Sequence, residues 1–205
     1  MDQQYDPGNV FTSMHHQVTG ELLRLMDGLY SNIEDALFEL ASRTRSESRK
    51  RQCFNLMREL RYRRPQAIQQ FARGMQNSLD YWFENLPEPE EGTAHDQEMA
   101  TQMAEKCAAH FGRLLQSLAE RTGYAMGRDV DSSLLPISPY RVACNFIRSM
   151  KALEFDQEAI EVTQVLFGRF VLDRLGPVYG DCNQRLEQAG FFTAREVDEF
   201  ETARA

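Results

Sequence analysis

Residues 47–65, Glu47-Ser-Arg-Lys-Arg-Gln-Cys-Phe-Asn-Leu-Met-Arg-Glu-Leu-Arg-Tyr-Arg-Arg-Pro65, decide the fold class. Cys53, Phe54, Leu56, Met57 and Leu60 recur at spacings of three and four, which gathers them on one arc of a helix and does not fit the alternation of a strand. Arg51 and Arg58 are seven apart and fall on the polar side of that helix, opposite Phe54 and Met57, as a solvated face requires. Glu47 and Arg51 have the i,i+4 spacing of an ion pair. Pro65 is expected to end the helix near Arg63-Arg64, because proline disfavours helical geometry in the residue before it. The same proline suits the first position of a further helix carrying Ile68, Phe71, Met75, Leu79, Trp82 and Phe83.

The helical pattern extends in both directions. A first helix is expected over 10–27, with Val18, Leu22, Leu25, Met26 and Leu29 near one stripe and Gly28 near its end. Ser31-Asn-Ile-Glu34 has the form of a capping box and opens a second helix to about Ala41. Leu86-Pro-Glu-Pro-Glu-Glu-Gly-Thr93 is a solvated, extended connector. Thr93-Ala-His-Asp96 caps a long fifth helix to Arg121, and residues 122–138 read as a loop. Ser138-Pro139 starts a sixth helix and Asp156 caps a seventh. The stretch Ile160–Leu172 is apolar on more than one face and belongs centrally in a bundle. Gly176-Pro177 opens an eighth helix that ends at Gly190, and Thr193-Ala-Arg-Glu196 caps a short acidic ninth that frays. Strand and hairpin signals are nearly absent. The expectation is an all-α multi-helix bundle of eight or nine helices, with two helical halves, 1–86 and 94–205, hinged at 87–93. Leu60–Pro65 and Leu172–Pro177 are each read as helix, break and proline-started helix, a weak internal echo.

With 205 residues, 42% hydrophobic and 26% charged, the composition is that of an ordinary globular protein. The formal charge of −8 argues against non-specific attraction to nucleic acid or anionic membrane. No apolar run reaches the ~18–20 residues of a membrane span. The opening MDQQYDPGNV has neither a basic leader nor an apolar core, so a cytoplasmic location is expected. Cys53, Cys107, Cys144 and Cys182 are too far apart for a zinc knuckle or redox pair and read as small buried hydrophobes. Cys107 and His110 share a helical face, but no further ligand is near them. His15, His16 and His95 fall in polar stretches and are expected to be solvated.

Charge is unevenly spread. Residues 43–73 hold ten basic residues (Arg43, Arg45, Arg49, Lys50, Arg51, Arg58, Arg61, Arg63, Arg64 and Arg73) against Glu47 and Glu59, a local +8 that leaves −16 elsewhere. Arg61, Arg63 and Arg64 suit a helix end, where the dipole favours cations. Arg49, Lys50 and Arg51 sit at a helix start, where it does not. Three explanations stand: solvation or internal pairing (the acidic 84–98 segment folding back among the options), an acidic protein partner, or a nucleic acid or phosphorylated ligand. Arg49, Lys50, Arg51, Arg58, Arg61, Arg63 and Arg64 are the candidate partner-binding residues. Only Tyr62 interleaves aromatically with these arginines, fewer rings than a single-strand binder uses. The phosphate-loop, dinucleotide, nucleophile-elbow and zinc-protease motifs are missing. Asp129-Val-Asp131 opens like a calcium loop but lacks its glycine and closing glutamate. The expectation is a non-enzymatic interaction or regulatory module without a cofactor or metal. A further alternative is a self-associating scaffold, with the seventh and eighth helices as its apolar seam.

Three stretches taken together resemble a known family: Asp35-Ala-Leu-Phe-Glu-Leu-Ala41; Phe54-Asn-Leu-Met-Arg-Glu-Leu-Arg61 with Arg63-Arg-Pro65; and Phe167-Gly-Arg-Phe-Val-Leu-Asp-Arg-Leu-Gly-Pro-Val-Tyr179 with Asn183, Leu186 and Ala189-Gly190. They are similar to the N-terminal region of a proteobacterial family known only as domain of unknown function 1631, over residues 30–192. The resemblance implies a bacterial, cytoplasmic helical module of regulatory or scaffolding type. It supplies no catalytic residues.

Overall fold

The computed structural model describes residues 7–84, 92–155 and 157–204. It contains eight α-helical segments: α1 Pro7–Arg43, α2 Glu47–Glu84, α3 Ala94–His110, α4 Gly112–Met126, α5 Pro139–Ala152, α6 Gln157–Phe170, α7 Gly176–Gln188 and α8 Ala194–Arg204. Two 3-10 turns, Ser132–Leu134 and Leu172–Arg174, complete the set, and no strand occurs among the described residues. The fold is all-α, as the periodicity requires.

The element boundaries differ from the sequence reading in three places, each for a physical reason. The first two expected helices are one. α1 runs through Gly28 and Ser31 because Val18, Leu22, Leu25, Leu29, Ile33, Leu37 and Ala41 form one uninterrupted buried stripe. Burying each large apolar side chain is worth about 1.5–3 kcal/mol, more than one internal glycine costs. The third and fourth expected helices are also one. Pro65 lies inside α2, and the stripe Leu60, Ala67, Phe71, Met75 and Leu79 stays buried on both sides of it. An internal proline costs about 3 kcal/mol, and the packing of α2 along α1 offsets it. The break in the Leu60–Pro65 half of the internal echo is therefore not formed, whereas a 3-10 turn does precede Pro177 in the other half.

The expected fifth helix is divided instead. At Phe111 the backbone turns out of regular α geometry (φ −99°, ψ 13°), although hydrogen bonds still pass through it from Phe111 N–H to Cys107 and from Leu115 N–H to Phe111. The Phe111 ring packs 5.7 Å from that of Tyr179, against the start of α7. A Cβ on Gly176 would lie 2.7 Å from the Phe111 ring, so only glycine admits it there. α4 then continues to Met126 and is stopped by Gly127 in the left-handed conformation (φ 66°), which shortens the expected 122–138 loop.

Helix starts follow the cap residues closely. Thr93 and Asp96 form a reciprocal capping box on α3. The Ser138 hydroxyl accepts from Arg141 N–H at the head of α5, with Pro139 in first position. Thr193 and Glu196 exchange two bonds at the head of α8. Asp156, and the connector from 87 to 91, lie outside the described residues. α8 is tied down by Arg121 of α4, a buried arginine that donates to the Phe191 carbonyl at 2.8 Å and to Glu196 at 2.6 Å. Burial alone would raise the Glu196 carboxyl, but the Thr193 N–H and the Arg121 guanidinium prevail and hold it below its ordinary value.

One hydrophobic cluster takes residues from all of α1 to α7. At its centre Phe146 stacks on Phe167 with ring centroids 4.0 Å apart, and Phe71 meets Phe167 edge-on at 6.2 Å, joining α2, α5 and α6. The buried Tyr179 hydroxyl donates to the Ile137 carbonyl at 3.0 Å. α6 is less central than its composition suggests: Ile160, Phe167, Val171 and Leu172 are buried at and beyond its core face, but Val165 is 70% exposed. The apolar residues of α7, Val178, Tyr179, Cys182 and Leu186, are all buried within the chain's own core.

Candidate functional site

α1 and α2 pack side by side and run antiparallel through the short turn at 44–46, so residue 38 lies beside 54, 34 beside 61 and 27 beside 64. The basic segment occupies the turn end of this hairpin. Its arginines divide into two groups.

Arg61, Arg63 and Arg64 are engaged within the chain. Arg61 forms a two-pronged pair with Glu34 across the hairpin. The guanidinium holds the Glu34 carboxyl below its ordinary value, and the carboxylate in turn raises Arg61. Arg64 bonds Asp27 and the Ser31 hydroxyl, the latter at 3.2 Å. This explains Ser31, whose hydroxyl serves as an inter-helix acceptor where the sequence suggested a cap. Arg63 donates to the Leu153 carbonyl at the end of α5, lies 3.4 Å from Glu59, and places its guanidinium 5.3 Å from the Phe155 ring centre. A cation there satisfies a carbonyl that α5 leaves open.

Arg49, Arg51 and Arg58 are exposed and have no ion pair among the described residues. The expected Glu47–Arg51 pair is not formed, because Lys50 takes Glu47 at 2.8 Å. Arg49 contributes its backbone N–H to the Ser46 hydroxyl at 3.3 Å, which caps α2 and leaves the guanidinium in solvent. Asp96, from the acidic segment, binds Lys151 of α5 instead of this patch.

The outer face of the hairpin carries more than charge. Phe54, read as core, is 45% exposed, and its ring meets that of Phe38 (57% exposed) edge-on at 6.5 Å. Phe54 thus sits on the side of Arg51 and Arg58, where the sequence placed it opposite them. Tyr62 is 79% exposed on the same side of α2, one turn beyond Arg58. On α1 the neighbours of Phe38 are acidic: Asp35, exposed and without an ion pair among the described residues, and Glu39, paired along the helix with Arg43. Phe38 and the acidic residues beside it belong to a stretch that carries the family resemblance, but the sequence did not mark them as candidate site residues. The available signal was the spacing Asp35, Phe38, Glu39, which sets an aromatic on an otherwise polar face, as Arg51, Phe54 and Arg58 do on α2.

The remaining candidates serve packing. The buried Cys107 thiol donates to the Leu172 carbonyl at 3.1 Å, and burial, then the Asp173 carboxylate, pushes it up to about 12. The His110 ring packs on Phe111, with centroids 4.6 Å apart. His15, expected in solvent, is partly buried and places Nδ1 3.3 Å from Asp80 of α2. Asp131 accepts Ser133 N–H at 2.7 Å and so caps a 3-10 turn. Among the described residues no group of His, Cys, Asp or Glu is placed to hold a metal ion, and no helix is long and apolar enough to cross a membrane.

No curated protein and no solved structure matches the chain. A family model does, over residues 6–190, a span that includes the hairpin and both ends of the helical core. Its description is "Protein of unknown function (DUF1631) N-terminal domain", and the chain belongs to that family.

Proposed function

We propose that the chain is a non-enzymatic helical interaction module, regulatory or scaffolding in role, whose outer α1–α2 face engages a protein partner. The observation that carries this reading is the group of exposed arginines, Arg49, Arg51 and Arg58, beside the half-exposed Phe38–Phe54 pair. An apolar centre with a charged rim is the ordinary anatomy of a protein-binding surface. In this reading Arg61, Arg63 and Arg64, engaged within the chain, hold the face in shape, and the exposed Arg49, Arg51 and Arg58 meet acidic side chains on the partner. Lys50 contributes charge while tethered to Glu47. The burial of the Cys107 thiol, held on the Leu172 carbonyl, supports a non-enzymatic role. The negative overall charge and the free cysteines fit a bacterial cytoplasm.

Fluorescence anisotropy tests the reading, with a labelled glutamate-rich peptide and labelled single- and double-stranded oligonucleotides titrated at low and near-physiological salt. The peptide is expected to bind, and Arg51→Glu with Arg58→Glu to weaken it by about tenfold or more. Tighter, steeply salt-dependent binding of an oligonucleotide through the same arginines would replace the protein partner with nucleic acid. Binding of neither probe would leave these side chains as a solvated helix face.

A further inference from the structure

The outer hairpin face has an order that goes beyond a basic patch. Across it run an acidic strip on α1 (Asp35 and Glu39), an aromatic seam (Phe38 and Phe54) and a basic strip on α2 (Arg51 and Arg58). The order is fixed by helix periodicity and by two cross-hairpin contacts. Glu34–Arg61 and Phe38–Phe54 close the line where α1 meets α2, and Asp35 and Glu39 on α1 and Arg51 and Arg58 on α2 are exposed on either side of it.

Such a surface is complementary to itself. We propose that it pairs with the same face of a second copy of the chain about a two-fold axis parallel to α1 and α2. That operation sets α1 of each copy over α2 of the other, in antiparallel sense. The acidic strip of one copy then faces the basic strip of the other, twice, and the four phenylalanine rings meet in the middle. A two-fold axis perpendicular to the helices within the same plane would instead oppose acid to acid and base to base. The pairing is isologous and closed, so it yields a dimer and not a filament. It also gives partners to the groups the monomer leaves open: Arg58 meets Asp35 of the second copy, and the half-exposed rings lose their solvent. A phosphate chain fits the face poorly, because Asp35 and Glu39 stand beside the rings and repel it. The inference rests on the interaction reading above and names the occupant of that face.

The decisive experiment is sedimentation equilibrium of the whole chain over a concentration series, with charge-swapped variants. The wild-type mass is expected to rise from one copy to two. Asp35→Arg alone and Arg58→Glu alone should each weaken the dimer by about tenfold or more, since each opposes like charges twice. An equimolar mixture of these two variants should recover it, because every facing pair is again opposite in sign, and the double variant should recover it as a homodimer. Both positions are exposed, and unchanged far-UV circular dichroism checks that each variant is folded. A wild-type chain that stays monomeric throughout overturns the proposal, as does a mixture that fails to recover. A monomer that still binds the glutamate-rich peptide through Arg58 removes the self-pairing and leaves the interaction reading standing. A dimer that ignores the peptide keeps the pairing and removes the foreign acidic partner.

Discussion

Gly74 and Asn145 show how a single position joins two helices. The Asn145 side chain of α5 donates to the Phe71 carbonyl of α2 at 2.8 Å, and a Cβ on Gly74 would lie 1.8 Å from Asn145 Oδ1. In an exposed helix interior, alanine for glycine gains about 1 kcal/mol. Here Gly74→Ala is expected to destabilise the chain by about 1–3 kcal/mol, because the buried amide must leave its carbonyl or force the helices apart. Urea unfolding of Gly74→Ala, Asn145→Ala and the double variant reads this directly. The double variant should cost less than the two single costs added together, and a Gly74→Ala chain as stable as wild type would contradict the close approach. Arginine needs the same distinction by position. Arg58 and Arg61 lie one turn apart on one helix, yet Arg61 pairs with Glu34 across the hairpin while Arg58 makes no ion pair among the described residues.

At the scale of the element, burial decides where helices continue and caps decide where they begin. Pro65 and Ser31 are strong local signals for a break and a start, and both are overridden inside stripes that pack along a neighbour. Thr93, Ser138 and Thr193 act as their residue types suggest, because the chain before each of them is not helical. The head of α3 carries a pH dependence. Asp96 closes the capping box and also binds Lys151 in the last turn of α5. Burial acts to raise its carboxyl, but the Lys151 ammonium and the Thr93 N–H outweigh this and hold it below the ordinary value. A carboxyl depressed by folding contributes stability that is complete above its unfolded value and is lost as pH falls through the folded one. Melting temperature followed from neutral pH into the acid range should therefore fall less in Asp96→Asn than in wild type. At neutral pH the variant should be about 1 kcal/mol less stable. Parallel curves for the two proteins would show that the carboxylate contributes nothing to that dependence.

Over the whole molecule, the 1–86 and 94–205 segments contribute to a single buried cluster, with α2 against α5 and α1 against α6 and α7. Cooperative unfolding is expected as a result. Trp82, the one tryptophan, is buried edge-on to Phe11 at 5.6 Å and reports on the hairpin, whereas far-UV ellipticity reports on every helix. The two signals should fall along one urea curve; a hairpin transition separate from the rest would mean two independent units. The sequence by itself determined the fold class, most cap positions and the location of the basic segment. Periodicity and capping are local, and net charge survives any arrangement of the chain. It also carried enough of the packing pattern to identify the family. The lengths of α1 and α2, the turn at Phe111 and the division of the arginines were decided only in three dimensions. Each depends on what lies opposite: the partner stripe that lets a helix run through proline, the glycine that admits a ring, and the carboxylates that occupy Arg61 and Arg64 but not Arg58. The outer face follows the same rule, since its strips of opposite sign exist only once α1 and α2 lie side by side.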